Sequence, residues 1–172
     1  MMKNPYCELA FKTIKTYLET GNVIGLPKNV PSELKTKKAG VFVSLHLKKG
    51  DLRGCIGTFL PTCECLGLEI IQNAISASTD DPRFKPIAES ELGNLDISVD
   101  VLSEPEKCEV VDLDPKKYGV IVSCGGRRGL LLPDLEGVDT VKSQLEIACN
   151  KAGIDYDSEK FEVSRFTVKR FS

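Results

Sequence analysis

An α+β fold of two closely packed lobes, each built from a β-β-α-β unit with mainly antiparallel sheets and a cleft between them, is predicted by three observations. Strand-like runs rich in β-branched and aromatic residues are joined by short glycine-containing turns, the pattern of antiparallel hairpins. Segments with helical apolar spacing separate these hairpins from single later strands. The same order occurs twice: Gly40-Val-Phe-Val-Ser44 parallels Gly119-Val-Ile-Val-Ser123, and each is followed by a glycine-containing turn, a strand bearing Arg-Gly, a proline, a helix and a strand. Apolar strands ending in Ser are common, so coincidence is the plainer reading. Agreement of element order across several levels favours duplication. The two halves run over about 40–102 and 118–171, and the junction of two such units is a common ligand site.

The first element is a helix over about 4–20, with Asn4 as its cap, Pro5 at its first position and Gly21 as its stop. Cys7, Ala10, Phe11, Ile14, Tyr17 and Leu18 form its apolar stripe. An irregular connection to Gly40 has room for one helical turn after Pro31. The first hairpin then reads GVFVSLHLKKGDLRGCIGTF and ends at Pro61. A second helix is predicted over 64–79, and Asp80, Asp81 and Pro82 stop it. Along Leu95 to Leu102, Leu95, Ile97, Val99 and Val101 alternate with Asp96, Ser98 and Asp100, which predicts a half-buried strand. The second hairpin, YGVIVSCGGRRGLLLP, turns at Gly125 and Gly126 and is apolar on both faces. Asp139 or Thr140 caps a third helix running to Ala152, with Gly153 at its end. A last strand from Lys160 to Phe171 changes phase between Val163 and Phe166, which predicts a bulge near Ser164 and Arg165.

Composition narrows the function. The chain has 172 residues, 41% hydrophobic and 28% charged, enough for a core without covalent staples. With 23 basic and 25 acidic residues the net charge is -2, so nothing draws the chain to phosphate backbones or anionic lipid. Nucleic acid is disfavoured as a partner, although lysines at 35, 37, 38, 48 and 49 leave RNA binding through basic loops as a weaker alternative. No secretory leader and no run of about 18 apolar residues is present, which leads us to expect a soluble cytoplasmic protein with no membrane partner. Cys7, Cys55, Cys63, Cys65, Cys108, Cys124 and Cys149 are scattered, and His46 is the only histidine. That is no zinc pattern, so no metal and no cofactor is predicted.

The candidate site is Leu52 to Phe59, LRGCIGTF. With Lys49 and Gly50 at the hairpin tip, Leu47 faces Leu52, His46 faces Arg53 and Ser44 faces Cys55. Val43, Leu45, Leu47, Leu52 and Ile56 then enter the core, while Ser44, His46, Arg53 and Cys55 share the other face. His46 lies diagonally from Cys55, about 7 Å away between backbones. A cysteine near His and Arg is an arrangement that yields a nucleophile. A buried inert thiol is the plainer reading of Cys55. Arg53, inside a strand, has to find an anion, a carboxylate or water. Gly54 and Gly57 mark either a ligand's close approach or tight packing against a neighbouring helix. Asp81 and Arg83, in Asp80-Asp81-Pro82-Arg83-Phe84, either order their own loop through an Asx-type turn or line the groove. Arg127 and Arg128 pose the same choice between solvation and anion capture.

These residues also carry a resemblance. LRGCIGTF at 52–59, DPRF at 81–84, Val-Leu-Ser-Glu-Pro-Glu at 101–106, Gly-Leu-Leu-Leu-Pro at 129–133 and Gly-Val-Asp-Thr at 137–140 look like the AMMECR family, and most like its bacterial and archaeal branch, called AmmeMemoRadiSam system protein A. The resemblance covers nearly the whole chain, about Cys7 to Phe171, and implies a single domain over 1–172 with two lobes and a cleft. It implies no established reaction. It implies company with a radical SAM protein and a Memo-like protein, and hence a ligand-binding or adaptor component. An enzyme using Cys55 for thiol chemistry on a small anionic substrate is the alternative. The hallmark residues matched are Leu52, Arg53, Gly54, Cys55, Ile56, Gly57 and Thr58. His46, Cys63 and Cys65 stand outside it.

Overall fold

The computed structural model describes residues 4–172 and contains two four-stranded antiparallel sheets, each in its own compact unit. The first unit takes residues up to Val101 together with Lys169–Ser172, and the second takes Leu102–Val168.

In the first unit, helix α1 (Pro5–Thr20) begins where the Asn4 side chain accepts the Tyr6 N–H and ends at Gly21, whose φ of 71° returns its N–H to the Tyr17 carbonyl. Its buried stripe is Tyr6, Cys7, Leu9, Ala10, Thr13 and Ile14, shifted toward the N-terminus from the predicted one. The turn after Pro31 is a short helix, α2 (Ser32–Thr36). Strands β1 (Val41–Leu47) and β2 (Leu52–Thr58) form the predicted hairpin, α3 (Leu66–Thr79) starts two residues later than expected, and β3 (Leu95–Leu102) follows a 3-10 turn at Glu89–Asn94. The sheet order is β2-β1-β3-β8, with β8 at Val168–Phe171. Val41, Val43, Leu45, Ile70, Ala74, Ile97 and Val99 form the centre of a core that α1 and α3 close on one face.

The second unit repeats this order. Strands β5 (Gly119–Cys124) and β6 (Arg127–Leu131) pair through a Gly125-Gly126 turn with Gly125 at φ 58°. Helix α4 (Val141–Ala152) is capped by the Thr140 hydroxyl, and Gly153 ends it at φ 64°. Strand β7 (Glu162–Phe166) lies beside β5, as β3 lies beside β1, and the two-residue β4 (Glu106–Lys107) completes the order β4-β7-β5-β6. Its own core gathers Val120, Val122, Leu131, Leu145, Ala148, Cys149 and Val163. Strand-strand-helix-strand therefore occurs twice, with the third strand joining the first each time.

One expectation is corrected here. The last strand is not one strand bulged at Ser164 and Arg165; those residues pair regularly with β5 and β4. The change of phase is a break at Thr167, where β7 of one sheet gives way to β8 of the other. Changing sheets swaps which residues face a core, which alternation along the sequence reads as a bulge.

Candidate functional site

The hairpin tip sets the geometry. Gly50, at φ 99°, closes a turn in which its N–H reaches the Leu47 carbonyl and the Leu47 N–H reaches the Asp51 carbonyl. Ser44 stands opposite Cys55 as the sequence predicts, and Leu45 opposite Gly54. His46, however, pairs with Leu52, so neither His46 opposite Arg53 nor Leu47 opposite Leu52 occurs. Arg53 is the extra residue of a β-bulge, and a bulge re-aims its side chain. The Arg53 guanidinium grips Glu91 with Nε and Nη2 (2.8 and 3.0 Å) and reaches the carbonyls of Lys85 and Pro86 (2.8 and 3.3 Å). Its side chain is only 16% exposed. The anion that Arg53 needs is thus a carboxylate of its own chain. Arg53 first, and then the Ala88 N–H, hold the Glu91 carboxyl below its ordinary range against the opposing effect of burial.

Alternation then divides the glycines and the threonine of the motif. Gly54 belongs to the α3 face: an added Cβ would overlap the Ala77 carbonyl. Thr58 shares that face, where its hydroxyl donates to Glu69 and accepts from Asn73 Nδ2 (3.1 Å). Gly57 belongs to the other face, and the Phe42 ring fills the place of its side chain. All three are used in packing. Beside Gly57 on that second face lie Ser44 and Cys55, with Ser98 paired to Ser44, Asp100 to Phe42 and Asp96 to His46.

The Cys55 thiol is half-buried and accepts a hydrogen bond from the Ser44 hydroxyl at 3.2 Å. Among the described residues His46 makes no hydrogen bond to it. β2 is the outer strand of its sheet, and the loop after α3 covers the edge at Cys55. The Cys55 N–H donates to Asp81 at 2.9 Å, and Arg83 Nη2 donates to the Cys55 carbonyl at 3.4 Å. Asp81 itself, buried, also accepts from the Arg83 N–H, Nε and Nη2 at 3.1, 3.0 and 2.8 Å. The Asx-type turn is present and is also a clamp on the thiol's strand. Arg83 chiefly, with the Cys55 and Arg83 N–H groups, holds the Asp81 carboxyl far below the ordinary range although burial opposes it. The guanidinium rests 5.3 Å above the Phe84 ring.

Sequence reasoning missed three polar residues here. Glu69, 1% exposed, accepts from the Thr58 hydroxyl, the Thr62 N–H and hydroxyl and the Cys63 N–H. Burial would raise its carboxyl, but these donors outweigh it and hold it below its ordinary value. Asn73, also buried, ties α3 to the Val41 carbonyl. Both sit on the stripe that carries Leu66, Ile70 and Ala77, which was the available signal. Asp100 was assigned to a solvated face but is 1% exposed, because Arg170 of β8 grips it with Nε and Nη2 at 2.8 and 2.7 Å. That contact joins residues far apart in the chain, and nothing local announces it. Among the described residues no three His, Cys, Asp or Glu side chains are arranged to hold a metal ion, and no helix is long and apolar enough to cross a membrane. The arrangement offers a thiol with a hydroxyl donor on one face of a fixed strand, and a fixed guanidinium at its edge.

Comparison with known proteins places the chain. A protein from Thermotoga maritima is 53% identical over 98% of both chains. One from Clostridium acetobutylicum is 54% identical over 95% of this chain, which spans 36% of that longer protein. The crystal structure of an uncharacterized protein from Pyrococcus horikoshii matches with a TM-score of 0.86 and 35% identity, over 98% of this chain and 92% of that one. The AMMECR1 family model covers residues 7–171, and the chain belongs to the AMMECR1 family.

Proposed function

We propose that the chain is a ligand-binding or adaptor component, acting with a radical SAM protein and a Memo-like protein, whose contact face is centred on Ser44 and Cys55. One observation carries this reading: the polar groups around Cys55 hold it in place. Its N–H and carbonyl are both engaged by the Asp81–Arg83 loop, and Arg53 is engaged by Glu91. A fixed thiol and hydroxyl are a preorganised recognition point, which loses little freedom when a ligand arrives. The partners come from the company the family resemblance implies. Affinity purification of the full chain from its native host, followed by mass spectrometry, tests them. Recovery of either partner is expected with the native chain and reduced recovery with Cys55→Trp; recovery of neither would overturn the adaptor reading.

A second reading has its own support. Ser44 as donor to the sulfur and Arg83 one residue's reach away are groups that assist a reacting thiol. Alkylation of the native protein by iodoacetamide at neutral pH, followed site by site, decides it. Cys55 reacting no faster than Cys63, Cys108 and Cys124, which are equally half-buried, removes the nucleophile.

A further inference from the structure

We infer that the ligand met by Cys55 is a small molecule carrying an oxyanion, a carboxylate or phosphate, and that Arg83, not Arg53, receives it. This deepens the proposed function and rests on its placing of the contact face at Ser44 and Cys55.

The two arginines beside the motif have opposite fates. Arg53 uses Nε, Nη1 and Nη2 on Glu91 and two carbonyls, and its side chain is 16% exposed. Four of its five N–H donors are engaged and little of its surface is open, which leaves little for a ligand. Arg83 is 53% exposed. Its bonds use Nε and Nη2 alone, on Asp81 and the Cys55 carbonyl, and among the described residues its Nη1 donates to nothing. Asp81 accepts three N–H donors from Arg83 and one from Cys55, which ties the guanidinium to the strand edge at the thiol. Bidentate contact with a buried carboxylate and stacking over Phe84 fix the plane of the guanidinium. A fixed arginine with an open Nη1 suits an oxyanion, because a charge-assisted N–H donor arrives already oriented. The hydrogen bonds to Asp81 chiefly raise the affinity of Arg83 for its proton against the opposing effect of burial, so the guanidinium is firmly charged.

The test compares two alkylating agents of the same shape, anionic iodoacetate and neutral iodoacetamide, on the full chain. Their rate ratio at Cys55, divided by the ratio for N-acetylcysteine amide, reports the local preference for a carboxylate. An enrichment of about fivefold is expected, the size of one added hydrogen bond from Nη1. Arg83→Gln should bring it to unity, and Arg83→Lys, which keeps the charge if the loop loosens, should retain part of it. At constant ionic strength, inorganic phosphate or acetate should slow the iodoacetate reaction, phosphate alone marking a phosphate ligand and both marking a carboxylate. A ratio at Cys55 equal to that of the small thiol overturns the inference, as does enrichment that survives Arg83→Gln or is lost entirely in Arg83→Lys. So does a Cys55 that neither reagent reaches, or one that neither anion protects. Failure here leaves a contact face for neutral ligands or partners, whereas failure to recover the partners leaves the anion preference standing.

Discussion

The two β-β-α-β units share one packing solution and differ in how their first hairpin is held. Gly54 and Gly129, each the third residue of its hairpin's second strand, each lie directly under a helix carbonyl, of Ala77 and of Ala148. Around them the units part. In the first, Arg53 is tied to Glu91, Cys55 to Asp81, and the segment after β2 to Glu69. In the second, Arg128 is exposed, and the hairpin tip is tied by Arg127 to Glu159 and to the Gly153 carbonyl. The fourth residue of α3 is Glu69 and the fourth of α4 is Gln144, whose buried Oε1 has no partner among the described residues. The shared feature is what any hairpin pressed on a helix needs. The extra ties belong to the hairpin that carries the motif.

The largest expected effect breaks what the units share. Gly54→Ala and Gly129→Ala each drive a Cβ into a helix carbonyl that cannot rotate away, and each should cost about 3 kcal/mol, measured by urea unfolding. Equal losses would support a common packing device. A harmless substitution at either position would show that the helix there yields.

Asp81→Ala should cost about 2 kcal/mol or more in the same assay. It leaves the Cys55 N–H and the Arg83 guanidinium without their acceptor, and the lost bonds are charge-assisted. It should also speed exchange of the Cys55 amide, which a mere surface change would not do. Glu69→Leu belongs with it: the N–H groups of Thr62 and Cys63 lose their common acceptor, and a cost of about 2 kcal/mol is expected.

Acid sharpens the comparison by separating the ties. Glu159 is lowered from its ordinary 4.5 to about 2, first by Arg127 and then by the Asp155 N–H. Asp81 starts at 3.8 and is lowered further still. Carboxyls lowered in the folded chain contribute stability above their unfolded values and lose it as pH falls toward the folded ones. The Arg127 tie should therefore weaken from about pH 4.5 and be gone near pH 2, while the Asp81 clamp, lowered from a smaller starting value, should outlast it. Carboxyl NMR titration checks the order, and an Asp81 midpoint above that of Glu159 would reverse it.

What the sequence disclosed follows the same division. Caps at Asn4 and Thr140, stops at Gly21 and Gly153 and the Gly125-Gly126 turn are decided by neighbouring residues, and all are legible. Ser44 opposite Cys55 is legible for the same reason, since a hairpin's register is set at its turn. Arg53 failed because a bulge beside Glu91 depends on a contact across 38 residues of chain. Asp100 failed because its partner, Arg170, lies 70 residues on. Arg83 was visible as a candidate, but only the fold distinguishes its open edge from the occupied one of Arg53.

The smallest effect is the most discriminating. Gln144 lies wholly buried, donating from Nε2 to the Tyr118 carbonyl at 2.8 Å while its oxygen meets no donor among the described residues. Replacing it with Leu, of similar volume, forfeits one hydrogen bond but relieves an acceptor that has lost water and gained nothing. The two terms are each about 1 kcal/mol and opposite in sign, so Gln144→Leu should change stability by less than about 1 kcal/mol. The same substitution at Glu69 should cost at least twice that, although each is the fourth residue of its helix. If Gln144→Leu proves as damaging as Glu69→Leu, Oε1 has a role as acceptor beyond the contacts described, and α4 carries a polar tie as α3 does.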